Sequence, residues 1–388
     1  MFKKIFSCII AVILLIVSIF IKKDKNIWVY SAWHGNKFTD NPKHMYLYMI
    51  KNHKEIRSIW ITNNKNVISE VKSVGEVYYR YSVKGIYYCM KSGVVLFSHR
   101  VNDVNFRVLF LNSKLIQLWH GMPLKKINLD IQVKISNSYF KNKLIYLKRK
   151  AQILEFNRYS LLIATSYSTA QTIKSAFNLN SVVKITGQPR NDVMENDFRK
   201  NHNEKDIFHI TFMPTFREND LKPHLYFLNS EYIYDLYQLL KDTNSKMILK
   251  LHFHDQTCIK IPKDLQTHIE FAPSNLDTQE LLNNTDLLIT DYSSCYIDFL
   301  LTKKPILFSV PDYEEYLNIE RGFYYDYDRV TPGVKVFNYQ ELKRGIERYR
   351  EKPYIHLDER LKVCDIFDDY KDNQNSYRVF KEIQSLLK

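Results

Sequence analysis

Two short polar clusters, each just after an apolar run, hold the side chains of this sequence that are best suited to chemistry. The first runs from Trp119 to Lys126, WHGMPLKK, and offers an imidazole beside two lysines. The second runs from Thr290 to Ser294, TDYSS, and offers hydroxyls and backbone N–H groups where a helix is expected to begin. A helix start with unpaired N–H groups binds phosphate readily. The clusters therefore predict a proton acceptor in one part of the chain and a phosphate site in another.

The apolar runs before these clusters belong to a series in which strand-like segments alternate with segments of helical length. Such alternation is typical of parallel sheets whose two faces are covered by helices. The predicted strands are Ile27 to Ala32, Ser58 to Thr62, Val77 to Tyr81, Val94 to Ser98, Leu115 to Leu118, Leu161 to Thr165, Val182 to Thr186, Ile207 to Met213, Met247 to Leu251, Ile269 to Ala272, Leu287 to Thr290 and Ile306 to Val310. In open α/β sheets, ligands bind beyond the carboxyl ends of the strands. We therefore expect an α/β protein with two doubly wound, Rossmann-like domains that face an interdomain cleft.

The length of 388 residues exceeds what one core usually serves, so two domains are expected. The charged stretch Glu195 to Asp206 is the predicted linker. The predicted division is a hydrophobic anchor over residues 1–22, an N-terminal domain over 23–198 and a C-terminal domain over 199–388. Glycine is scarce, at nine residues, and neither G-x-G-x-x-G nor a Walker A sequence is present. This argues against dinucleotide or ATP sites of those types.

Two features of the first half of the chain predict contact with a membrane. Ile5 to Ile21 is uncharged and is flanked by lysines on both sides, which predicts an uncleaved anchor at the short end of the lengths that span a bilayer. A cleaved signal peptide is the rival, but no small-residue cleavage site follows. From Val101 to Ser160, eleven Lys and Arg stand against three acidic residues, within a formal net charge of +14. Tyr139 to Tyr159 reads as a basic amphipathic helix for anionic lipid, or as a solvated helix face.

Cysteines and acidic motifs give no metal site. The five cysteines, Cys8, Cys89, Cys258, Cys295 and Cys364, are scattered, odd in number and without C-x-x-C spacing, so neither a disulfide framework nor a zinc site is indicated. The pair His252 and His254 offers too few histidines for a zinc site. The pair Asp326 and Asp328 forms a D-x-D pattern, which is common in sequences by chance. We predict no metal bound by the protein.

Seven stretches in a fixed order resemble the CDP-glycerol glycerophosphotransferase family, which includes teichoic acid primases and polymerases and capsule-making relatives. They are Ser58 to Ile61, Gln117 to Lys126, Gly187 to Asp192, Pro214 to Arg217, Leu249 to His252, Thr290 to Ser294 and Arg321 to Tyr327. The resemblance implies a GT-B architecture and transfer of a polyol phosphate from CDP-glycerol or another CDP-polyol. Three departures, Met122 for threonine, Phe253 for proline and Val334 for the last proline of Pro-Gly-Pro, leave the identity of the polyol open.

The resemblance implies roles for histidines in both domains. His120 would be the catalytic base that takes the proton of an acceptor hydroxyl, and His252 would donate to the pyrophosphate and offset charge on the leaving CMP. Taken alone, a single histidine is more often structural. Lys125 and Lys126 would supply positive potential for a phosphate-bearing acceptor.

Other residues in the matching stretches would bind the substrates. In the C-terminal, donor-binding domain, Arg217 would clamp phosphate, Ser293 and Ser294 would present hydroxyls and amides to the pyrophosphate, and Asp298 would hold the ribose or a neighbouring side chain. Simple capping of the helix is the alternative for the two serines. In the N-terminal, acceptor- and membrane-facing domain, Arg190 and Asp192 would line the acceptor side or brace the crossover between domains.

The expected partners are a CDP-polyol, a lipid-linked glycan acceptor and the membrane surface, without nucleic acid. We expect the catalytic body on the cytoplasmic side of the cell membrane, where nucleotide donors are made. No tightly bound cofactor is predicted, and a divalent cation on the pyrophosphate is left open. Two rival functions remain: a GT-B glycosyltransferase that uses a nucleotide sugar, and an anchored basic module that binds nucleic acid or anionic polymer without turnover.

Overall fold

The computed structural model describes residues 14, 16–133, 136–195, 207–217, 222–273, 276–319 and 322–388. The chain divides into two compact units. Unit 1 contains the residues up to His120, Val133–Asp192 and Asp372–Lys388, and unit 2 contains Gly121–Gln132 and Val193–Lys371.

Two predicted segments lie wholly or mostly outside this description. Residues 1–13 and 15 of the predicted anchor are not among the described residues, and neither are residues 196–206 of the predicted linker. Within the part of the chain that the structure describes, no helix combines the length and the apolar character needed to cross a membrane. The anchor therefore stays a prediction.

Unit 1 is built on a seven-stranded sheet in which every pair of neighbours is parallel. The strands are β1 (Asp24–Ser31), β2 (Arg57–Thr62), β3 (Glu76–Tyr79), β4 (Ser92–Phe97), β5 (Lys114–Gln117), β6 (Tyr159–Ala164) and β7 (Val183–Ile185), in the order β3-β2-β1-β4-β5-β6-β7. The helices between them are α1 (Asp40–Asn52), α2 (Lys65–Lys72), α3 (Val83–Lys91), α4 (Tyr139–Phe156) and α5 (Tyr167–Phe177). The strand order reverses between β1 and β4, which is where such sheets bind ligands.

The sequence explains why these segments form strands and helices. All six residues of β4, SGVVLF, are buried, as expected of a central strand covered on both faces. Ser82 and Ser166 begin α3 and α5 by accepting hydrogen bonds from backbone N–H groups of the first turn. The unit 1 core packs β-strand residues such as Trp28 and Ile163 against the apolar face of α1.

Unit 2 is built on a six-stranded sheet, again with parallel neighbours throughout. Its strands are β8 (Phe208–Phe212), β9 (Ser245–Leu249), β10 (Ile269–Phe271), β11 (Leu287–Thr290), β12 (Ile306–Ser309) and β13 (Val334–Val336), in the order β10-β9-β8-β11-β12-β13. Its helices are α6 (Ile233–Asp242), α7 (Phe253–Gln256), α8 (Thr278–Asn283), α9 (Cys295–Phe299), α10 (Tyr313–Ile319), α11 (Tyr327–Val330), α12 (Tyr339–Glu351) and α13 (Leu357–Phe367). The order reverses between β8 and β11.

The two parallel sheets confirm the predicted α/β class. Each of the twelve predicted strands overlaps a strand of the structure. The strand that the sequence did not predict is β13, whose three residues VKV carry a lysine in the middle and form too short a run to stand out.

The borders of the two units differ from the predicted domain borders in two places. The last helix, α14 (Asn375–Leu386), buries Val379, Phe380 and Ile383 in the core of unit 1 rather than unit 2. Gly187 (φ 73°) makes room for it, because a Cβ at that position would collide with Asn375. Gly121–Gln132 belongs to unit 2, where Lys126 N donates to the Gly322 carbonyl at 2.9 Å. An amphipathic helix does not reveal from its own sequence which sheet it covers.

Candidate functional site

Three histidines of unit 1 follow the carboxyl ends of three neighbouring strands. His34 comes after β1, His99 after β4 and His120 after β5, and these strands lie side by side in the sheet. The His99 and His120 rings stack with centroids 4.1 Å apart and planes at 7°, and the His34 ring centroid lies 5.2 Å from that of His99. The sheet therefore gathers the three imidazoles, here called the histidine cluster, at its ligand-binding edge.

The His120 ring is fixed so that one nitrogen remains available for proton transfer. Its Nδ1 lies 3.1 Å from the Ser98 carbonyl oxygen, which can only accept a hydrogen bond, so Nδ1 carries the proton. In the neutral ring, Nε2 then has the lone pair. Trp119, whose φ of 53° is in the left-handed region, packs at a tilt of 33° against His120, with 4.2 Å between the ring centroids. A bulky residue at positive φ needs support from its surroundings.

That support comes from three buried polar residues, one of which had a predicted role of another kind. Asn41 Nδ2 lies 3.0 Å from the Leu118 carbonyl oxygen and 3.1 Å from that of Trp119. Arg190 Nη1 donates to the His120 carbonyl at 2.9 Å and to Asp40 Oδ1 at 2.8 Å. The predicted acceptor-side residue Arg190 is therefore held in a buried ion pair that braces the backbone of His120.

Burial governs the electrostatics of the histidine cluster. Burial lowers the pKa of His120 below its ordinary value, and the Asp40 carboxylate offsets part of this effect. Burial, followed by the charge of His120, lowers the pKa of His99 to about 3. Burial also raises the pKa of Asp103, whose carboxylate accepts a hydrogen bond from the backbone N–H of His99 at 2.9 Å. Near neutral pH both stacked rings are therefore uncharged, which leaves His120 able to accept a proton.

Asp192, the second residue predicted for the acceptor side, caps the last helix. Its carboxylate oxygens accept from the backbone N–H groups of Asn375 at 2.7 Å and Ser376 at 2.8 Å. A carboxylate at this position satisfies N–H groups that have no partner inside the helix. Asp192 thus fastens α14 to unit 1.

In unit 2, the predicted phosphate clamp Arg217 is enclosed by carboxylates. Its guanidinium is 4% exposed and pairs with Asp291 Oδ2 at 2.8 Å and with Asp312 Oδ2 at 2.9 Å. Burial disfavours the charge, but the two carboxylates outweigh it and raise the Arg217 pKa. The structure thus places Arg217 at the centre of a buried ion-pair network rather than presenting it to a ligand.

Two stacked tyrosines cover this network and connect it to the first polar cluster. Tyr292 and Tyr316 stack with centroids 3.7 Å apart, and the Arg217 guanidinium carbon lies 4.5 Å from the Tyr316 ring centroid. Lys125 Nζ donates to the Tyr316 hydroxyl at 2.6 Å. Lys126 is tied to the same region through its backbone, and both side chains are half-buried. The two lysines thus lie in unit 2, whereas His120 lies in unit 1.

His252 follows β9 and is exposed at the surface of unit 2. Its ring packs at a tilt against Phe216, with centroids 4.4 Å apart, and stacks on His254 at 5.3 Å. The His254 backbone N–H donates to His252 Nδ1 at 3.4 Å, so Nδ1 is the acceptor and Nε2 carries the proton of the neutral ring. His252 is therefore arranged as a hydrogen-bond donor, the opposite of His120.

Ser293 and Ser294 directly precede α9, the short helix Cys295–Phe299, and Asp298 lies within it. The helix has five residues, and the Ser294 side chain makes no capping hydrogen bond, while Ser293 Oγ accepts from the Cys295 N–H at 3.5 Å. Both serines are half-buried. Asp298 is buried and accepts from Gln279 Nε2 at 3.3 Å, inside the unit.

Two motifs were considered as metal sites, the His252–His254 pair and the Asp326–Asp328 pair. Residues in or next to each motif have partners within the protein. Asp326 caps α11 by accepting from the N–H groups of Asp328 and Arg329, and Asp328 accepts from the Tyr313 hydroxyl at 2.8 Å. Asp255, next to His254, pairs with Lys222 at 3.1 Å. Among the described residues, no group of three or more His, Cys, Asp or Glu side chains is placed to hold a metal ion.

Within unit 1, the structure brings His120 and Arg190 together, and within unit 2 it brings Lys125 to the Arg217 network. The sequence reasoning missed His34, His99 and Asp103 as neighbours of His120. A signal for two of them exists: each histidine stands two or three residues after a strand, as His120 does. Without the strand order, however, this spacing does not show that the three strand ends are neighbours.

Comparison with known proteins bears on the class of the chain. A family model for CDP-glycerol:poly(glycerophosphate) glycerophosphotransferases matches residues 13–385. The teichoic acid poly(glycerol phosphate) polymerase of Bacillus spizizenii is 26% identical over 392 residues, covering 93% of this chain and 92% of that protein. The teichoic acid glycerol-phosphate transferase of Staphylococcus aureus is 26% identical over 376 residues, covering 93% of each. The chain spans 44% of the related polymerase of Bacillus subtilis, at 27% identity.

Solved structures agree on the fold. The wall teichoic acid polymerase TagF, solved as a variant soaked with CDPG, matches with a TM-score of 0.77 at 22% identity, covering 94% of this chain and 90% of that chain. At this identity the likeness concerns the fold alone. The family match extends over nearly all of the sequence and confirms the predicted resemblance. The chain therefore belongs to the CDP-glycerol:poly(glycerophosphate) glycerophosphotransferase family, and it is a transferase.

Proposed function

We propose that this enzyme transfers glycerol phosphate, or a related polyol phosphate, to a lipid-linked glycan acceptor during synthesis of a teichoic acid or capsular polysaccharide. An acceptor hydroxyl oxygen attacks the β-phosphorus of the CDP-linked donor and forms a new P–O bond. The bond from that phosphorus to the bridging oxygen breaks, and CMP leaves with the electron pair. The family match and the names of the teichoic acid relatives support this reaction.

The orientation of His120 is the observation that carries the proposal. Nδ1 is engaged by the Ser98 carbonyl, so Nε2 takes the proton of the attacking hydroxyl. The lowered pKa keeps the ring neutral, and hence able to act as a base, at neutral pH. Arg190 and Asn41 hold the backbone that sets the ring, so they act as positioning residues.

We assign binding of the donor to unit 2. His252 donates from Nε2 to the pyrophosphate and offsets charge on the departing CMP, and Ser293 and Ser294 offer half-buried hydroxyls for the same group. Lys125 and Lys126 supply positive potential. We assign the fold to the GT-B class, because both sheets have their first strand beside their fourth at a reversal of strand order.

We also propose that the enzyme works at the cytoplasmic face of the cell membrane. In α4, the exposed side chains include Tyr139, Phe140 and Leu144, the first two at 73% and 81% exposure, interleaved with Lys and Arg. Apolar side chains enter the lipid boundary while basic ones meet anionic head groups. The CDP-linked donor, made in the cytoplasm, fixes the side.

A donor screen tests the proposed function. The full chain is incubated with a lipid-linked acceptor and CDP-glycerol, CDP-ribitol or nucleotide sugars, and the released nucleotide is identified. We expect CMP from a CDP-polyol, released about 10² to 10⁴-fold more slowly with His120→Asn, while the control His356→Asn behaves as the unchanged protein. Release of a nucleoside diphosphate from a sugar donor without CMP would make the protein a glycosyltransferase. Binding of anionic polymer with no turnover of any donor would favour the binding module.

A further inference from the structure

We propose that the turn Trp33–Gly35, together with Lys37, is a binding subsite for a sugar ring of the acceptor and the phosphate next to it. The inference rests on the proposed function, since it names the part of the acceptor that unit 1 holds beside His120. Nothing in the proposed reaction uses these residues otherwise. They follow β1 at the reversal of strand order, where parallel sheets bind ligands.

Trp33 is the exposed tryptophan of this protein. Its exposure is 41%, whereas Trp28 and Trp60 are fully buried and Trp119 is 8% exposed. Its ring centroid lies 4.7 Å from that of His99 and 6.3 Å from that of His120. An exposed indole next to the base offers a flat, electron-rich face to whatever ring is presented to His120.

The backbone holds Trp33 in a conformation that a bulky residue rarely adopts. Trp33, His34 and Gly35 are consecutive left-handed residues, with φ of 48°, 57° and 80°. A Cβ at Gly35 would also lie 2.9 Å from the Asp103 carbonyl oxygen, so only glycine fits there. Strained backbone of this kind is concentrated at functional sites, where the surroundings enforce it.

Hydrogen bonds from the end of β2 enforce the turn. The Gly35 carbonyl accepts from Thr62 Oγ1 at 2.6 Å and from the Asn63 N–H at 2.9 Å. Asn63 Nδ2 donates to the His34 carbonyl at 3.0 Å. The backbone that carries the indole is therefore fixed before any ligand arrives, which lowers the conformational entropy lost on binding.

Polar groups flank the indole where a phosphate would follow the sugar. Lys37 Nζ lies 5.2 Å from the Trp33 ring centroid, and its side chain is exposed. His34, with 67% of its side chain exposed, has its Nδ1 3.2 Å from Oδ1 of the buried Asp103. An aromatic face for a sugar, with an ammonium and an imidazole for a phosphate, matches a glycan that ends in a polyol phosphate.

Quenching of tryptophan fluorescence by acrylamide reports on this site directly, because Trp33 is the tryptophan that solvent reaches. The probes for the full chain are a methyl disaccharide carrying one glycerol phosphate, the same disaccharide without phosphate, glycerol phosphate alone, and CDP-glycerol. We expect the phosphorylated disaccharide to protect the fluorescence from acrylamide in a saturable way, and the bare sugar to protect it less. At saturation with the phosphorylated disaccharide, the quenchable fraction should fall to that of Trp33→Phe. Protection by CDP-glycerol alone would assign the indole to the donor base and overturn the proposal.

Kinetics separate this subsite from the reaction itself. We expect Trp33→Ala to raise the acceptor KM about tenfold, the scale of one lost ring contact, with donor KM and the pH profile unchanged. Trp33→Tyr should recover most of the affinity, and Lys37→Ala should weaken only phosphate-bearing acceptors. The control Tyr167→Ala removes another exposed aromatic ring of unit 1, at 69% exposure.

The possible failures are distinguishable. If CMP is released normally and Trp33→Ala has an unchanged acceptor KM, the subsite is wrong and the proposed function stands. If no donor is turned over, the proposed function is wrong, and protection of the unaltered protein by the phosphorylated disaccharide still decides the subsite. Because quenching is measured on the unaltered protein, misfolding of a variant does not affect that result.

Discussion

His120 and His252 hold their ring protons on different nitrogens, and the backbone atom facing each Nδ1 is the reason. A carbonyl oxygen faces Nδ1 of His120, whereas a backbone N–H faces Nδ1 of His252. Neutral His120 thus presents a lone pair at Nε2 and neutral His252 presents an N–H. One residue type can therefore supply both the base and the donor that the transfer requires.

Activity should depend on pH through His120. Its pKa is lowered by burial, so the base form persists below the ordinary histidine pKa of about 6.5. We expect kcat/KM to fall on the acid side with a midpoint below about 6.5, and His120→Asn to lower kcat by about 10² to 10⁴-fold. A pH–rate profile with CMP release as the readout checks this. A midpoint above 6.5, or the same acid limb in residual His120→Asn activity, would show that another group is the base.

Stability should also fall in acid because of His99. The pKa of His99 is about 3 in the folded protein and about 6.5 in the unfolded chain, so between these pH values the unfolded chain binds a proton that the folded protein does not. The contribution to stability is full above about 6.5 and is lost as the pH falls towards 3. We expect His99→Phe to shift the midpoint of acid unfolding to lower pH. His356→Phe is the control, and an equal shift in both variants would contradict the assignment.

Removing the Arg217 side chain should lower the stability of the fold, whether or not it also weakens binding of the donor. Arg217→Ala leaves Asp291 and Asp312 as unpaired buried carboxylates, a change that costs about 3–5 kcal/mol. Urea unfolding should show this loss, while Arg329→Ala, at a side chain with 86% exposure, should change the free energy of unfolding by less than about 0.5 kcal/mol. An Arg217→Ala protein of normal stability that no longer binds CDP-glycerol would instead support the phosphate-clamp interpretation.

The sequence indicated candidate residues but not the partners that the structure gives them. His120 and His252 were expected after strand patterns, and the structure places them after β5 and β9. Arg217, Arg190 and Asp192 were assigned to ligands, yet carboxylates or helix N–H groups distant in sequence engage them. A guanidinium satisfies a buried carboxylate as well as a phosphate, so the side chain alone does not distinguish the two roles.

Helix α4 is the element most open to a direct test. It was predicted as a helix with interleaved basic and apolar residues, and the structure confirms the helix over Tyr139–Phe156. Its buried residues are Glu155 and Phe156 at its end, so most of its apolar side chains face solvent. Exposed apolar surface of this kind often belongs to an interaction site, which is why we proposed α4 as the membrane contact.

Serine substitutions on α4 should release the protein from lipid. We expect Phe140→Ser with Leu144→Ser to reduce binding to vesicles that contain anionic lipid at least about tenfold, because two exposed apolar contacts with the bilayer are lost. Co-sedimentation with the vesicles measures this. Tyr234→Ser, on helix α6 of unit 2 and with 54% exposure, serves as the control. Binding unchanged in the double variant would leave α4 as a solvated helix.

Strand positions were more predictable than short helices. Continuous apolar runs such as β11, LLIT, are fully buried and stand out in the sequence. A helix was expected to begin after Ser294, but the sequence did not indicate its length, and α9 ends at Phe299. Short helices are stabilised mainly by the packing around them rather than by local propensity. That packing cannot be read from the local sequence.

At the scale of the whole molecule, the chain leaves unit 1 and returns to it. Unit 1 takes its last helix from the end of the sequence, after all of unit 2. Two α/β units could be predicted from length and pattern, because every strand except β13 carries its own signal. The return of α14 could not, since its contacts with unit 1 join residues that are hundreds of positions apart.

A core substitution in α14 should therefore destabilise unit 1. Phe380→Ala removes a ring that stacks on His53 at 3.7 Å between centroids and packs in the unit 1 core, and it should cost about 3–5 kcal/mol. Urea unfolding followed by the fluorescence of Trp28 and Trp60, both in that core, measures the loss. The control Tyr377→Ala alters an exposed residue of the same helix, with 44% exposure. Equal stability of the two variants would show that α14 is dispensable for unit 1.

The placement of α14 has a consequence for how the protein is made. The ribosome completes Lys371 before the residues of α14 emerge, so the later-encoded unit has its whole sequence first. The earlier-encoded unit waits, with the surface that receives Val379 and Ile383 uncovered, until α14 has been translated. Because translation adds about 5–20 residues per second, this interval is short but unavoidable. The nascent imidazole-bearing sheet can reach its finished packing only after the residues of α14 have left the ribosome.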